Sequence, residues 1–161
     1  MHRKIRGGRL CLATAMLLAP ALMLPAPPAV KSLAIITAAG SKLQDVTLAE
    51  LAKMCKGSQK AWSDGRSFML VMKDPDSSEM HIAAQKLFGV APSDLKSSIA
   101  KLNESRPIVK IVSSDEELLH AVETIPGAVG ILDVYSINSA VKVLRVDGKL
   151  PFDVGYALKG N

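Results

Sequence analysis

The sequence is poor in residues that form disulfides or hold metal ions. Its 161 residues include only two cysteines and three histidines. Cys11 lies in an N-terminal segment that we expect to be removed, so Cys55 would remain alone and no internal disulfide could form. His81 and His120 are far apart in the sequence and have no cysteine or acid at metal-ligand spacing. The sequence therefore indicates no metal site and no cofactor.

The first 29 residues have the pattern of a secretory signal peptide. A basic start without acidic residues leads into an apolar stretch over 10–24, and 25–29 are proline and alanine. This order is typical of an export signal, and the apolar stretch is shorter than the ~20 residues of a membrane span. Cleavage after Ala26 or Ala29 keeps the fullest apolar core, although an early Ala-x-Ala site ends at Ala21. We expect a periplasmic or secreted protein without a membrane span in its mature chain. The alternative is an uncleaved N-terminal anchor.

Removal of this segment changes the charge of the protein. The whole chain has 20 basic and 15 acidic side chains and a net charge of +5. Four of the basic side chains and none of the acidic ones lie in the first 29 residues, which leaves 16 basic and 15 acidic. The remaining chain has no basic stripe that would attract nucleic acid, so we expect no nucleic-acid partner.

The rest of the chain, 30–161, reads as one α/β domain. Short apolar runs predict strands over 33–37, 68–72, 108–112, 128–132, 141–146 and 152–158. Helices are predicted after the N-cap Thr47, over 79–88, from Pro92 and over 116–124. Because strands and helices alternate, we expect a mostly parallel sheet flanked by helices. Such sheets bind ligands at the carboxyl ends of their strands.

A polar loop after the second predicted strand is the candidate site. Lys73 stands at the end of that strand, and Ser77 and Ser78 lead into the next helix. Free backbone N–H groups, two hydroxyls and a lysine at a helix start can hold a small anion. The alternative is that serine and aspartate before a helix act only as caps.

The order of these motifs resembles the phosphate-type periplasmic substrate-binding proteins of ABC importers. The resemblance covers about 33–158 and is carried by Trp62-Ser63-Asp64-Gly65, by the serine loop, and by Pro126-Gly127-Ala128-Val129-Gly130-Ile131. It implies a single lobe of a periplasmic-binding-protein-like (type II) fold. It also implies a solute-binding protein, not an enzyme, that takes phosphate or another small oxyanion and serves an ABC permease. Trp62, Asp64 and the 126–131 stretch would be packing and turn residues.

The resemblance implies ligand-binding roles for Lys73, Ser77, Ser78 and Glu79. The family turn reads Ser-Gly-Thr-Arg. Here Ser77 matches its serine, Ser78 takes the glycine place, Glu79 the threonine place and Met80 the arginine place. A thioether thus replaces a guanidinium, and a carboxylate enters where an anion would sit. These departures leave an alternative open, in which the domain binds no ligand and instead contacts another envelope protein.

Two further observations bear on these hypotheses. About 130 residues correspond to one lobe, whereas the family holds its ligand between two, so a partner or a second copy would supply the other half. An enzyme hypothesis would use Ser77 with His81, but no third catalytic group is identifiable and the serine lacks a Gly-x-Ser-x-Gly elbow.

Overall fold

A computed structural model describes residues 30–160. The predicted signal peptide, 1–29, lies outside the described residues. The elements follow one another in the order β1 (Lys31–Ala38), β2 (Asp45–Val46), α1 (Leu48–Cys55), β3 (Met69–Met72), α2 (Met80–Ala83), a π-helix (Ala84–Phe88), a 3-10 turn (Pro92–Asp94), α3 (Leu95–Asn103), β4 (Val109–Ile111), α4 (Asp115–Thr124), β5 (Ala128–Asp133), a 3-10 turn (Val134–Ser136), β6 (Val141–Val143), β7 (Arg145–Val146) and β8 (Lys159–Gly160).

Six strands form the main sheet, in the order β4-β3-β5-β1-β6, with β8 also paired to β1. Strands β4, β3 and β5 are parallel to one another. Strand β1 is antiparallel to β5, β6 and β8. Five strands therefore share one direction and β1 runs against them. This arrangement confirms the predicted α/β class with a sheet flanked by helices. The sheet itself is mixed, because two of its strand pairs are parallel and three are antiparallel. This arrangement also places the start of β1 at the carboxyl ends of its neighbours.

Helices cover both faces of the sheet and bury residues 33–37 of β1 between them. Leu33 and Ile35 pack into the larger core, together with residues of α1, α2 and α3. Ala34 and Ile36 point to the other face and pack against α4. Alternate side chains of a strand point to opposite faces, so an uninterrupted apolar run is the pattern of a strand buried on both sides.

Two helices begin at the caps that the sequence predicts. The hydroxyl of Thr47 accepts a hydrogen bond from the N–H of Glu50 at 3.0 Å and opens α1. The hydroxyl of Ser114 accepts from the N–H of Glu117 at 3.2 Å and opens α4. Such caps satisfy N–H groups that have no partner inside the helix.

Three predicted elements differ in the structure. The 79–88 helix begins at Met80 and continues as a π-helix from Ala84. The 141–146 strand divides into β6 and β7, and β7 pairs with β2 in a separate small sheet. The predicted 152–158 strand is wrong because this segment forms turns: Asp153 accepts a hydrogen bond from the N–H of Leu150 at 2.7 Å, and Gly155 has a φ of +75°.

Candidate functional site at the carboxyl end of the sheet

A buried hydrogen bond joins the turn that contains Trp62 to the 126–131 stretch. The indole Nε1 of Trp62 donates to the carbonyl oxygen of Gly127 at 2.8 Å. Trp62 is 3 % exposed and packs edge-on against Phe68, with ring centroids 5.5 Å apart. Asp64 pairs with Arg66 within the same turn. The structure thus places Trp62 and Asp64 as packing and turn residues.

The glycines of the 126–131 stretch are required by close packing. Gly127 has a φ of +81°, and a Cβ there would lie 2.3 Å from the carbonyl oxygen of Ser67. A Cβ on Gly130 would lie 2.7 Å from the side chain of Leu118 in α4. Neither position has room for a side chain without a shift of its neighbours. The 126–131 stretch therefore allows β5 to pack closely against the surrounding elements and is not part of the candidate site.

Lys73 immediately follows β3 and forms an ion pair with Asp115, the first residue of α4, at 2.5 Å. The hydrogen bond to Asp115 raises the pKa of Lys73 above its usual value, against a smaller opposing effect of burial. Partial burial opposes ionisation of Asp115, but hydrogen bonds from Lys73 and Ser136 outweigh it and lower the pKa of this carboxyl. Lys73 is therefore a fixed cation whose charge is balanced by an adjacent carboxylate.

Ser78 and Glu79 share one cation, Lys31, which is the first residue of β1. The Lys31 ammonium donates to the Ser78 hydroxyl at 2.8 Å and lies 3.8 Å from a carboxylate oxygen of Glu79. Glu79 is also close enough for its charge to contribute to the raised pKa of Lys73. The serine turn is thus electrostatically linked to both lysines at this end of the sheet.

Ser77 carries the most unusual polar atom of the loop. Its Oγ is buried, and within residues 30–160 it has no hydrogen-bond partner. The loop around it is ordered by backbone hydrogen bonds: the N–H of Ser77 donates to Asp74, and the N–H of Met80 donates to Ser77. A buried hydroxyl without a partner is costly, and in a native structure it indicates a polar group that binds there, such as a water molecule or a ligand.

Met80 stands where the related turn has arginine, and its side chain is completely buried in the core. It cannot reach a ligand at the surface. Four residues were predicted to bind a ligand. Ser77, Ser78 and Glu79 are consecutive and lie in one turn. Lys73 instead forms an ion pair with Asp115 of α4. Lys31 and Lys73 are each paired with a carboxylate, and the charge of Asp133 also acts on Lys73.

Lys31 and Asp115 also belong to this site, although the sequence did not predict them there. Asp115 follows β4, which is parallel to β3, so the carboxyl ends of two adjacent strands bring Asp115 to Lys73. The predicted alternation of strands and helices carries this signal, because it places the carboxyl ends of parallel strands at one edge. Lys31 reaches the site because β1 runs antiparallel to its neighbours, and no local pattern in the sequence indicates this direction.

Residues 30–160 contain no cluster of three or more histidine, cysteine, aspartate or glutamate side chains arranged to hold a metal ion. Over this range, none of the helices has the length and apolar character needed to cross a membrane.

Comparison with solved structures identifies the fold. An ABC-type phosphate transport receptor from Vibrio cholerae superimposes with a TM-score of 0.63 and 18 % identity, over 81 % of this chain and 54 % of the receptor. PstS from Borrelia burgdorferi gives 0.61 and 19 %, over 83 % of this chain and 56 % of that protein. The chain has the fold of periplasmic phosphate-binding proteins.

Other comparisons set the extent of this similarity. An ancestral soluble variant of the human phosphate binding protein gives a TM-score of 0.56 and 21 % identity, over 81 % of this chain and 41 % of that protein. No protein-family model and no curated protein matches the sequence. The chain spans about half the length of the receptors it resembles. These neighbours are described as transport receptors and binding proteins.

Proposed function

We propose that this chain is an exported solute-binding protein that takes a small oxyanion, with phosphate as the first candidate, at the Ser77–Glu79 turn. The single observation that carries the proposal is the buried, unpartnered hydroxyl of Ser77 at the carboxyl end of the sheet. This is the edge at which open α/β sheets bind ligands. The similar fold of phosphate transport receptors supports the same class of ligand.

The charges of the site set the expected affinity. Lys31 and Lys73 would supply the positive charge, and each is already paired with a carboxylate, Glu79 and Asp115 respectively. An anion would therefore compete with two internal carboxylates. We expect binding to be weaker than in a site with an unpaired arginine, because close like charges oppose it.

Calorimetric titration of the purified protein with phosphate, sulfate and acetate tests the proposal. Ser77→Ala removes the hydroxyl and should raise the Kd for phosphate roughly 10- to 100-fold, as expected for the loss of a hydrogen bond to a charged group. Ser63→Ala, in the Trp62 turn, is the matched control and should leave the Kd unchanged. The binding proposal fails if phosphate gives no heat, or if the two serine variants bind phosphate equally well.

A second function is favoured by the same ion pairs. If Glu79 and Asp115 fully neutralise the two lysines, the domain would bind no anion and would instead contact another envelope protein, such as a permease. Affinity capture from envelope extract, with and without Ser78→Lys at this edge, distinguishes this function. A stable partner that is lost in the variant, together with flat phosphate titrations, would support it.

Export is part of the proposal and has its own test. Cell fractionation should place the protein outside the cytoplasm. The intact mass of the exported product should correspond to cleavage after Ala26 or Ala29. A product that retains residues 1–29 would instead support an uncleaved anchor.

A further inference from the structure

A cleft lies at the amino end of the sheet, away from the Ser77 turn. It has a volume of about 460 Å³ and is bounded by the end of α1, the turn after the π-helix, α3 and the residue before β4. Strands β3 and β4 are parallel. Ile108, which precedes β4, therefore lies at the amino end of the sheet, whereas Lys73 follows the carboxyl end of β3. The cleft is independent of the proposed phosphate site.

Three lysines line this cleft and no acidic residue does. They are Lys56, Lys60 and Lys101. The guanidinium of Arg106 donates to the backbone carbonyl of Lys60 at 2.9 Å and adds a fourth cation beside them. We call this feature the lysine cleft. Unlike the two lysines near Ser77, its three lysines take part in none of the ion pairs formed among residues 30–160, which involve Lys31, Arg66, Lys73 and Lys96.

The floor of the lysine cleft is apolar. Cys55, Phe88 and Ile108 line it and are 0 %, 5 % and 4 % exposed. Leu102 and Val90 are half-buried and pack against the same core. The cleft thus combines an apolar floor with a lysine-bearing polar rim, and its volume lies within the range of about 300 to 1,000 Å³ that is usual for small-molecule sites. The hydroxyl-bearing residues Ser98 and Ser105 also line the cleft.

We infer that the lysine cleft binds a small amphipathic anion, with an apolar body on the Phe88–Ile108 floor and a carboxylate or phosphate at the lysines. Burial of apolar surface would supply the non-specific part of the binding energy. The excess of positive charge would select the sign of the head group and would weaken with added salt. An inorganic anion lacks the apolar part, and an amphipathic cation has the wrong charge, so both should bind poorly.

Lys56 follows the last residue of α1, and Lys101 stands in the last turn of α3. Cations at helix C-termini also stabilise the helix. The binding test therefore needs variants whose stability is measured alongside their affinity.

Calorimetric titration of the purified full-length protein with decanoate tests the inference. Acetate supplies the head group alone, and decyltrimethylammonium supplies the same chain with the opposite charge. We expect decanoate to bind, acetate to give no measurable binding, and the cation to bind at least about tenfold more weakly than decanoate. The inference is overturned if decanoate does not bind, or if the cation binds as tightly as decanoate does.

Two pairs of variants locate the binding. The triple variant K56Q/K60Q/K101Q should raise the Kd for decanoate about tenfold, whereas K42Q/K86Q/K110Q, which removes the same charge from exposed positions outside the cleft, should change it by less than about threefold. Ser98→Glu places a carboxylate in the cleft and should weaken binding at least as much, while Ser97→Glu, one residue away, should not. Equal affinities within either pair would overturn the inference, provided that thermal midpoints show folded protein.

Discussion

The indole Nε1 of Trp62 donates a 2.8 Å hydrogen bond to the carbonyl oxygen of Gly127, a residue 65 positions further along the chain. Trp62 lies in the turn between α1 and β3, and Gly127 lies in the turn that enters β5. Strands β3 and β5 are neighbours in the sheet. The bond therefore joins the two most distinctive sequence motifs of the chain at the amino ends of adjacent strands.

Replacing Trp62 with phenylalanine should destabilise the protein by about 1–3 kcal/mol. The change removes the donor to a buried carbonyl and leaves that oxygen without its partner. Urea unfolding followed by circular dichroism measures the effect. Tryptophan fluorescence cannot be used, because Trp62 is the only tryptophan and the variant lacks it. The control is Tyr135→Phe, at a ring that is 86 % exposed, which should change stability by less than about 0.5 kcal/mol. Equal stability of Trp62→Phe and the wild type would contradict the structural role of this bond.

Gly127→Ala should cost more stability than Gly148→Ala. Both glycines have positive φ, +81° and +74°, so both variants carry the strain of a left-handed alanine. Only at Gly127 does the added Cβ meet another atom, the carbonyl oxygen of Ser67 at 2.3 Å; at Gly148 nothing lies within 4 Å. The difference in unfolding free energy between the two variants should be about 1–3 kcal/mol. If the two variants are equally stable, the close approach at Gly127 has no energetic consequence.

Local features of the sequence predicted most of the elements, and their failures have physical causes. Thr47 and Ser114 predicted two helix starts because side-chain caps act within one turn. Apolar runs predicted β1, β3 and β5 because both faces of these strands are buried. The turn at 152–158 was mistaken for a strand. Its segment buries Tyr156, whose hydroxyl donates to the carbonyl of Leu33 at 2.8 Å, so its apolar character comes from a tertiary contact.

The site was predicted only in part, for a reason of topology. Ser77, Ser78 and Glu79 are adjacent in the sequence and therefore together in space. Lys31 joins them from a position 47 residues away from Ser78 because β1 runs antiparallel to β5. Strand direction depends on the packing of the whole sheet, which local patterns do not encode.

The ion pair of Lys73 and Asp115 should stabilise the fold only within a defined pH range. The pKa of Asp115 is lowered in the folded protein, so its contribution is present above the unfolded value of about 3.9 and is lost as the pH falls through the folded value. The pKa of Lys73 is raised, so its contribution is present below about 10.4 and is lost as the pH rises through the folded value.

A double-mutant cycle with Lys73→Met and Asp115→Asn measures this pair. The coupling energy should be about 0.5–1 kcal/mol at pH 7 and should approach zero near pH 2. The more exposed pair of Lys96 and Asp76, at 3.4 Å, is the control and should show almost no coupling at either pH. A coupling at Lys73–Asp115 that does not change with pH would show that the interaction is not ionic.

The thiol of Cys55 should be unreactive in the folded protein. Burial raises its pKa to about 12, so almost no thiolate is present at neutral pH. In a Cys11→Ala background, a disulfide reagent at pH 8 should label Cys55 slowly without denaturant and rapidly in urea. Rapid labelling of the native protein would mean that the α1 end of the core is open to solvent.

The most direct test of the proposed function is an NMR titration of the ¹⁵N-labelled protein with phosphate. We expect saturable shifts that cluster at the backbone amides of Ser77 to Met80 and at Lys73, and that need roughly 10- to 100-fold more phosphate in Ser77→Ala. An absence of saturable shifts would contradict the proposed function, as would shifts confined to the lysine cleft at the other end of the sheet.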